Sequence, residues 1–173
     1  AAAAERVFEV IDTKSKIEQI DHMPDLKIGK GSIEFKNVNY AYPKTKEHAV
    51  KNINISIEGN TIAALVGHSG AGKSTIINLL PRFYDGFDGK ITIDGVALED
   101  FDIKNLRSHI ALVSQNITLF NDTIAKNINY GSVDRSMDQI KEAAKKANAH
   151  EFIEALPDGY ETIAGDDGVL LSG

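Results

Sequence analysis

Gly67-His68-Ser69-Gly70-Ala71-Gly72-Lys73-Ser74 stands between an apolar run, Thr61 to Val66, and a stretch of helical pattern, Ser74 to Leu80, that stops at Pro81. Its fixed positions match G-x-x-x-x-G-K-[ST], and strand before, helix after is the context that pattern requires. The residue types follow from phosphate chemistry. Glycines let backbone N–H groups turn inward around phosphate oxygens, where a Cβ would block close approach. The helix beginning near Lys73 brings its positive N-terminal end to the same place. Lys73 supplies a compact positive charge for β- and γ-phosphates, and Ser74 a hydroxyl for Mg²⁺. Thr75 is placed to reach the α-phosphate. His68 fills a variable position of the loop, where it can line the nucleotide pocket. A chance match at four fixed positions is expected in roughly 1% of chains of this length or fewer. The octet therefore predicts nucleotide binding without naming a reaction, since kinases, GTPases and motor ATPases share it.

Working outward, Ser32 to Val38 alternates, with Ile33, Phe35 and Val38 among polar partners, and predicts a half-buried strand. Ile53, Ile55 and Ile57 predict a second. Thr61 to Val66 has no polar alternation, so it is expected to be a strand covered on both faces. Ile91-Thr92-Ile93 reads as a short strand closed by the turn Asp94-Gly95, and Ala111-Leu112-Val113 as another. After residue 120 the pattern becomes helical. Ser136 to Gln139 reads as a capping box. Met137, Ile140, Ala143, Ala144 and Ala147 form one apolar stripe behind it. Lys141, Lys145 and Lys146 read as a solvated face that includes a Glu142–Lys146 pair one turn apart. A short helix from Glu151 to Leu156 ends at Pro157-Asp158-Gly159. At the start, residues 1–12 read as a helix with Val7, Phe8 and Ile11 on one face. The four leading alanines are either a helix end or an appended stretch. Residues 13–30 are a polar connector. The order is β-rich first and α-rich last, with strand–loop–helix at the centre, which is an α/β arrangement.

Composition bounds the function. The chain has 173 residues, enough to bury a core, and its 42% hydrophobic and 25% charged shares exclude whole-chain disorder. Cysteine is absent, which excludes disulfides, thiolate metal sites and cysteine nucleophiles. Nineteen basic against 25 acidic residues give a net charge of -6, the wrong sign for a nucleic-acid footprint. No apolar run approaches the roughly 18 residues of a membrane span, and no secretory leader is expected at the start. The other histidines, His22, His48, His109 and His150, lack metal-ligand spacing and read as loop or surface residues. Asp166-Asp167 reads as a solvated pair rather than an acid–base couple.

Four further segments narrow the family. Tyr42 lies in Tyr40-Ala41-Tyr42-Pro43, Gln115 closes Leu112-Val113-Ser114-Gln115, and Thr162 to Gly168 precedes Leu171-Ser172-Gly173. With the octet they closely resemble the nucleotide-binding domain of an ABC transporter of the exporter type. Residues 111–123 and 168–173 look most like the bacterial lipid A exporters, and the resemblance covers nearly the whole chain. It implies an ABC-type P-loop ATPase core with an antiparallel β part and a helical subdomain from about residue 116, incomplete at its C-terminal side. Residues 1–30 would be the end of a membrane-connected helix and its connector, and 31–173 the N-terminal portion of the domain.

The resemblance also implies roles. Tyr42 corresponds to the aromatic that stacks on adenine, and Gly67, His68, Ser69, Gly70, Ala71, Gly72, Lys73, Ser74 and Thr75 to the phosphate cradle. Gln115 corresponds to the glutamine that contacts Mg²⁺ and the attacking water, which makes Lys73 and Gln115 the expected catalytic residues and Ser74 and Gln115 the expected metal contacts. Ser172 and Gly173 correspond to the signature that binds the γ-phosphate held by the opposite subunit. Thr162 to Gly168 corresponds to the loop that touches the membrane domain. The implied ligands are ATP and Mg²⁺. The implied partners are a second nucleotide-binding domain and a transmembrane domain, without nucleic acid, at the cytoplasmic face of the bacterial inner membrane.

The departures are as informative. No run of four apolar residues is followed by Asp-Glu, and the signature stops at Gly173. The family's Mg²⁺-holding aspartate, catalytic glutamate and switch histidine have no counterpart in these residues. Two functions therefore stay open: powering lipid export through ATP binding and hydrolysis in a head-to-tail dimer, and nucleotide binding without turnover. A soluble ABC ATPase acting on nucleic acid is a third, opposed by the acidic balance and by residues 1–12.

Overall fold

The computed structural model describes residues 2–13, 17, 27–43, 45, 47–114, 118–131 and 135–165. They divide into two units, Ala1–Ala111 and Leu112–Gly173. The first contains α1 (Ala2–Asp12), β1 (Ile33–Tyr40), β2 (Val50–Ile57), α2 (Lys73–Leu79), β3 (Asp88–Ile93), β4 (Val96–Ala97) and α3 (Ile103–Ser108). The strands form one antiparallel sheet in the order β2-β1-β3-β4. Phe35, Val38 and Ile91 on the sheet share a core with Leu79 of α2, Leu98, and Leu106 of α3. The helix that carries the octet's lysine is thereby fastened to the sheet through its buried face, Thr75, Ile76 and Leu79.

The β1 pattern changes parity midway, with Ile33 and Phe35 at odd positions and Val38 and Tyr40 at even ones. A bulge is the reason. Asn37 takes a left-handed conformation (φ 51), and the pairing with β2 slips between Phe35 and Val38. The extra residue returns Val38 and Tyr40 to the core face, where both are buried. Gly89 on β3 meets this bulge, and a Cβ there would lie 2.5 Å from the Asn37 carbonyl oxygen.

Asp94, in the turn after β3, ties the incoming chain to the sheet. Its carboxylate accepts from the N–H groups of Gly29 (2.8 Å), Gly31 (3.0 Å) and Ser32 (2.8 Å), and from the Ser32 hydroxyl (2.9 Å). The Gly31 and Ser32 N–H groups foremost pull the Asp94 carboxyl down to about 2. A depressed carboxylate contributes stability that is complete above its unfolded pKa, near 3.8, and is lost as pH falls through the folded value. Thermal unfolding midpoints are therefore expected to drop between about pH 4 and pH 2, and Asp94→Asn to flatten that part of the profile. An unchanged acid profile in the variant would contradict this.

Two expected strands are not formed. Residues 61–66 are irregular, with Ile62 and Val66 102% and 89% exposed, and only Leu65 packs against the core. An all-apolar strand needs sheet neighbours and cover on both faces. The described sheet, built from residues 33–97, places no strand beside this segment. Residues 111–113 are likewise irregular and exposed. The apolar side of α1 also lies open: Val7, Phe8 and Ile11 are more than half exposed.

The second unit is helical, with α4 (Ile124–Ile128), α5 (Met137–Lys146) and α6 (His150–Glu154). Thr123 caps α4 by accepting from the Lys126 N–H and pairs with Ile163 in an antiparallel bridge. The capping box at Ser136 and Gln139 is present, and Lys146 meets Glu142 at 2.8 Å. The stripe on α5 is narrower than expected. Ile140 and Ala144 are buried with Ile124, Ile153 and Tyr160, whereas Met137, Ala143 and Ala147 are exposed. The neighbouring helices α4 and α6 are only five residues each, so they cover one strip of α5 and leave its flanks to water.

Candidate nucleotide-binding site

The octet folds against the start of β2. Gly72 precedes α2 at φ 82, and a Cβ there would sit 2.6 Å from Val50 Cγ1 and 2.7 Å from the Ala49 carbonyl oxygen. Both conformation and space demand glycine at this position. The Ala71 N–H donates to the His68 carbonyl at 3.2 Å, closing the turn. Lys73 returns over the loop, and its Nζ donates to the carbonyls of Gly67 (2.7 Å) and His68 (2.8 Å). An ammonium carries three protons, so one donor is left for a ligand.

Tyr42 reaches the same place from the end of β1. Its hydroxyl lies 2.9 Å from Thr75 Oγ1, on the first turn of α2. Tyr42, Ala49, Ser69, Gly70, Ala71, Gly72, Lys73, Ser74 and Thr75 line one cleft of about 300 Å³. That is the size at which small-molecule sites begin, roughly 300 Å³. One wall is an aromatic ring and the other is glycine-rich backbone with a lysine, a polarity split that suits a base at one end and phosphates at the other. Tyr40 and Tyr84 pack on Tyr42 from behind. Burial, with Tyr42 and Tyr84 beside it, pushes the Tyr40 phenol above its ordinary range, so it stays neutral.

The donor set fits a magnesium ion delivered by phosphates. Ser74 offers an exposed hydroxyl at the cleft. Among the described residues no cluster of His, Cys, Asp and Glu could hold a metal unaided. Mg²⁺ takes few protein ligands and keeps phosphate and water oxygens.

The family profile described as ABC transporter matches residues 50–171, well over half of the chain and inclusive of the whole octet. The chain belongs to the ABC transporter family. It is 49% identical over 172 residues to an ATP-dependent lipid A-core flippase of Legionella pneumophila (strain Paris), covering 99% of this chain and 29% of that protein. Identity is 50% over 172 residues, with the same coverage, to an ATP-dependent lipid A-core flippase of Saccharophagus degradans. A solved structure of a bacterial Atm1-family ABC exporter with ATP bound superimposes with a TM-score of 0.87 at 37% identity, over 99% of this chain and 30% of that one. The chain thus spans less than a third of the length of these ABC transporters. Its fold is the ABC ATPase fold, with the antiparallel sheet and the helices both represented.

The structure of this ABC transporter chain brings Tyr42 and Ser69 to Thr75 together at one cleft, with Gly67 and His68 joined to it through Lys73. Gln115, Ser172, Gly173 and the Asp166-Asp167 pair lie outside the described residues. Sequence reasoning missed Ala49, Tyr40 and Tyr84. Tyr40 had a signal, since it ends β1 only two residues before Tyr42. Tyr84, more than forty residues away in sequence, had none.

Proposed function

We propose that this chain is the ATP-binding part of an exporter's nucleotide-binding domain and that it powers movement of an amphipathic lipid of the lipid A type. The convergence of Tyr42 with the octet at one cleft carries the reading. Tyr42 stacks on adenine, which reads a π face and gives weak base specificity, and the loop's N–H groups and Lys73 hold the phosphates. Thr75 contacts the α-phosphate. Ser74 and Gln115 would hold Mg²⁺, which when bound neutralises charge on the γ-phosphoryl group. Ser172 and Gly173 complete the site of a second, head-to-tail copy. Attack on the γ-phosphoryl is in line, with Lys73 stabilising the developing charge. Residues 1–30 lead from a transmembrane domain at the cytoplasmic face of the bacterial inner membrane, and residues 31–173 belong to the ATPase. Among the described residues no helix is long and apolar enough to cross a membrane. Names of the flippase relatives, at 49% and 50% identity, support the lipid substrate.

A second reading is favoured by one observation. These 173 residues contain no apolar run ending in Asp-Glu and so no general base of the family's kind. On their own they bind nucleotide without turning it over.

One assay addresses both. The intact transporter is expected to hydrolyse ATP, to be stimulated by a lipid A-type amphiphile, and to lose turnover with Lys73→Ala. The 173-residue chain is expected to be silent. Turnover that survives Lys73→Ala in the intact protein would sink the first reading, and Lys73-dependent turnover by the short chain would sink the second.

A further inference from the structure

Three rings meet behind the cleft. Tyr42 lies perpendicular to Tyr40 (centroids 5.2 Å apart, planes at 82°) and to Tyr84 (5.1 Å, 89°), while Tyr40 and Tyr84 stack at 5.7 Å and 29°. The Tyr42 hydroxyl is tied separately to Thr75. The ring is therefore fixed by two aromatic neighbours and by a hydrogen bond. Tyr40 belongs to the same strand end as Tyr42. Tyr84 arrives from elsewhere, on the loop that leaves α2.

That loop is braced on both sides. Arg82 holds a left-handed conformation (φ 51), which a bulky residue keeps only where its surroundings force it. Its buried guanidinium donates from Nε to Asp85 Oδ1 (3.0 Å) and from Nη2 to Asp85 Oδ2 (2.7 Å). Arg107 of α3 donates to the carbonyls of Pro81 and Arg82, both at 2.9 Å, and lies 5.4 Å over the Phe83 ring. Paired charge-assisted bonds of this kind fix geometry as well as add energy. Tyr84 is thus delivered to Tyr42 by a segment with little freedom.

We propose that Tyr84 is a positioning residue for Tyr42 and sets how tightly the site holds the base of a nucleotide, leaving the phosphates unaffected. The inference rests on the nucleotide reading of the cleft. A ring already immobilised loses no rotamer freedom when a base stacks on it, so affinity rises through preorganisation. Without Tyr84, Tyr42 keeps only Tyr40 as an aromatic brace, and its ring turns more freely. Tyr84 is not among the residues that line the cleft with Ser69 to Thr75, so the phosphate cradle keeps its shape.

The test compares two ligands in the intact protein: Mg-ATP by calorimetry, and Mg-tripolyphosphate, which has the phosphates without the base, by competition. Tyr84→Ala is expected to weaken Mg-ATP about fivefold and to leave tripolyphosphate within about twofold. Tyr84→Phe keeps the ring and is expected to bind both as the parent does. Tyr84→Leu keeps bulk without the aromatic edge, and carries the same comparison should the alanine variant not fold. Unchanged ATP affinity in both Ala and Leu variants overturns the proposal. Equal losses for both ligands also overturn it, since they would place the effect on the loop. Failure of the parent protein to bind either ligand, or normal ATP binding in Tyr42→Ala, would instead refute the nucleotide or base-platform reading beneath it.

Discussion

Lys73→Ala is expected to weaken Mg-ATP binding by about 100-fold or more. A charge-assisted hydrogen bond contributes roughly 1.5–3 kcal/mol, and removing the ammonium takes away both its direct bond to phosphate and its charge on the β–γ bridge. At about 1.4 kcal/mol per tenfold, even the lower bound for two such interactions gives two orders of magnitude. The same substitution frees the Gly67 and His68 carbonyls, which now accept from Nζ at 2.7 and 2.8 Å. Both are exposed, so water replaces the lost donor and folding stability changes little. Calorimetric titration paired with thermal unfolding separates the two effects. An affinity loss below about fivefold with the fold intact would remove Lys73 from the phosphate site.

Gly72→Ala is expected to cost about 3 kcal/mol of stability and to abolish nucleotide binding with it. Two penalties add. An alanine at φ 82 is strained by about 1 kcal/mol or more, as any L side chain is in that region. Its Cβ would also stand 2.6 Å from Val50 Cγ1 and 2.7 Å from the Ala49 carbonyl oxygen. The second neighbour is backbone immediately before β2 and cannot rotate away, so the loop itself must lift. Gly70 supplies the control. It has nearly the same conformation, φ 81, but nothing lies within 4 Å of the position of a Cβ. Gly70→Ala should therefore show the conformational penalty alone, about 1 kcal/mol. Denaturant midpoints read the difference. Equal costs at the two glycines would show that the contact with β2 does not shape the loop.

The same pair of glycines marks the limit of what a sequence can reveal. Both glycines open the backbone to phosphate, Gly72 at a fixed position of the octet and Gly70 at a variable one, but the pattern says nothing of what surrounds either. Only the structure distinguishes Gly72, pressed against a strand more than twenty residues earlier in sequence, from Gly70, which faces open space. Local signals were otherwise legible. The capping box at Ser136 and the turn at Asp94-Gly95 depend on neighbours within a few residues and formed as expected. The change of parity in β1 is visible in Ile33, Phe35, Val38 and Tyr40, although its cause, a left-handed Asn37, is not.

Non-local requirements were read less well. The apolar run Thr61 to Val66 states what that segment needs, namely neighbours and cover, and not what the described residues supply. Ile62 stands in solvent for that reason. Helical periodicity gives the α5 stripe five members, yet the width of its partners admits only Ile140 and Ala144. The site itself was half legible. Residues 67–75 followed from a motif and Tyr42 from resemblance. Tyr84, Arg82 and Arg107 form a support that no spacing rule could assemble, because it joins a loop arginine, an arginine of α3, one carboxylate and a ring across separate segments.

The central claim is that the cleft between Tyr42 and residues 69–75 is where a nucleotide triphosphate sits. Hydrogen–deuterium exchange of this chain, with and without saturating Mg-ATP, tests it most directly because it reports where the ligand acts. Added protection is expected in peptides spanning residues 40–43 and 67–79, and it should vanish with Lys73→Ala. Protection confined to other segments, or none at these two in the folded protein, would contradict it.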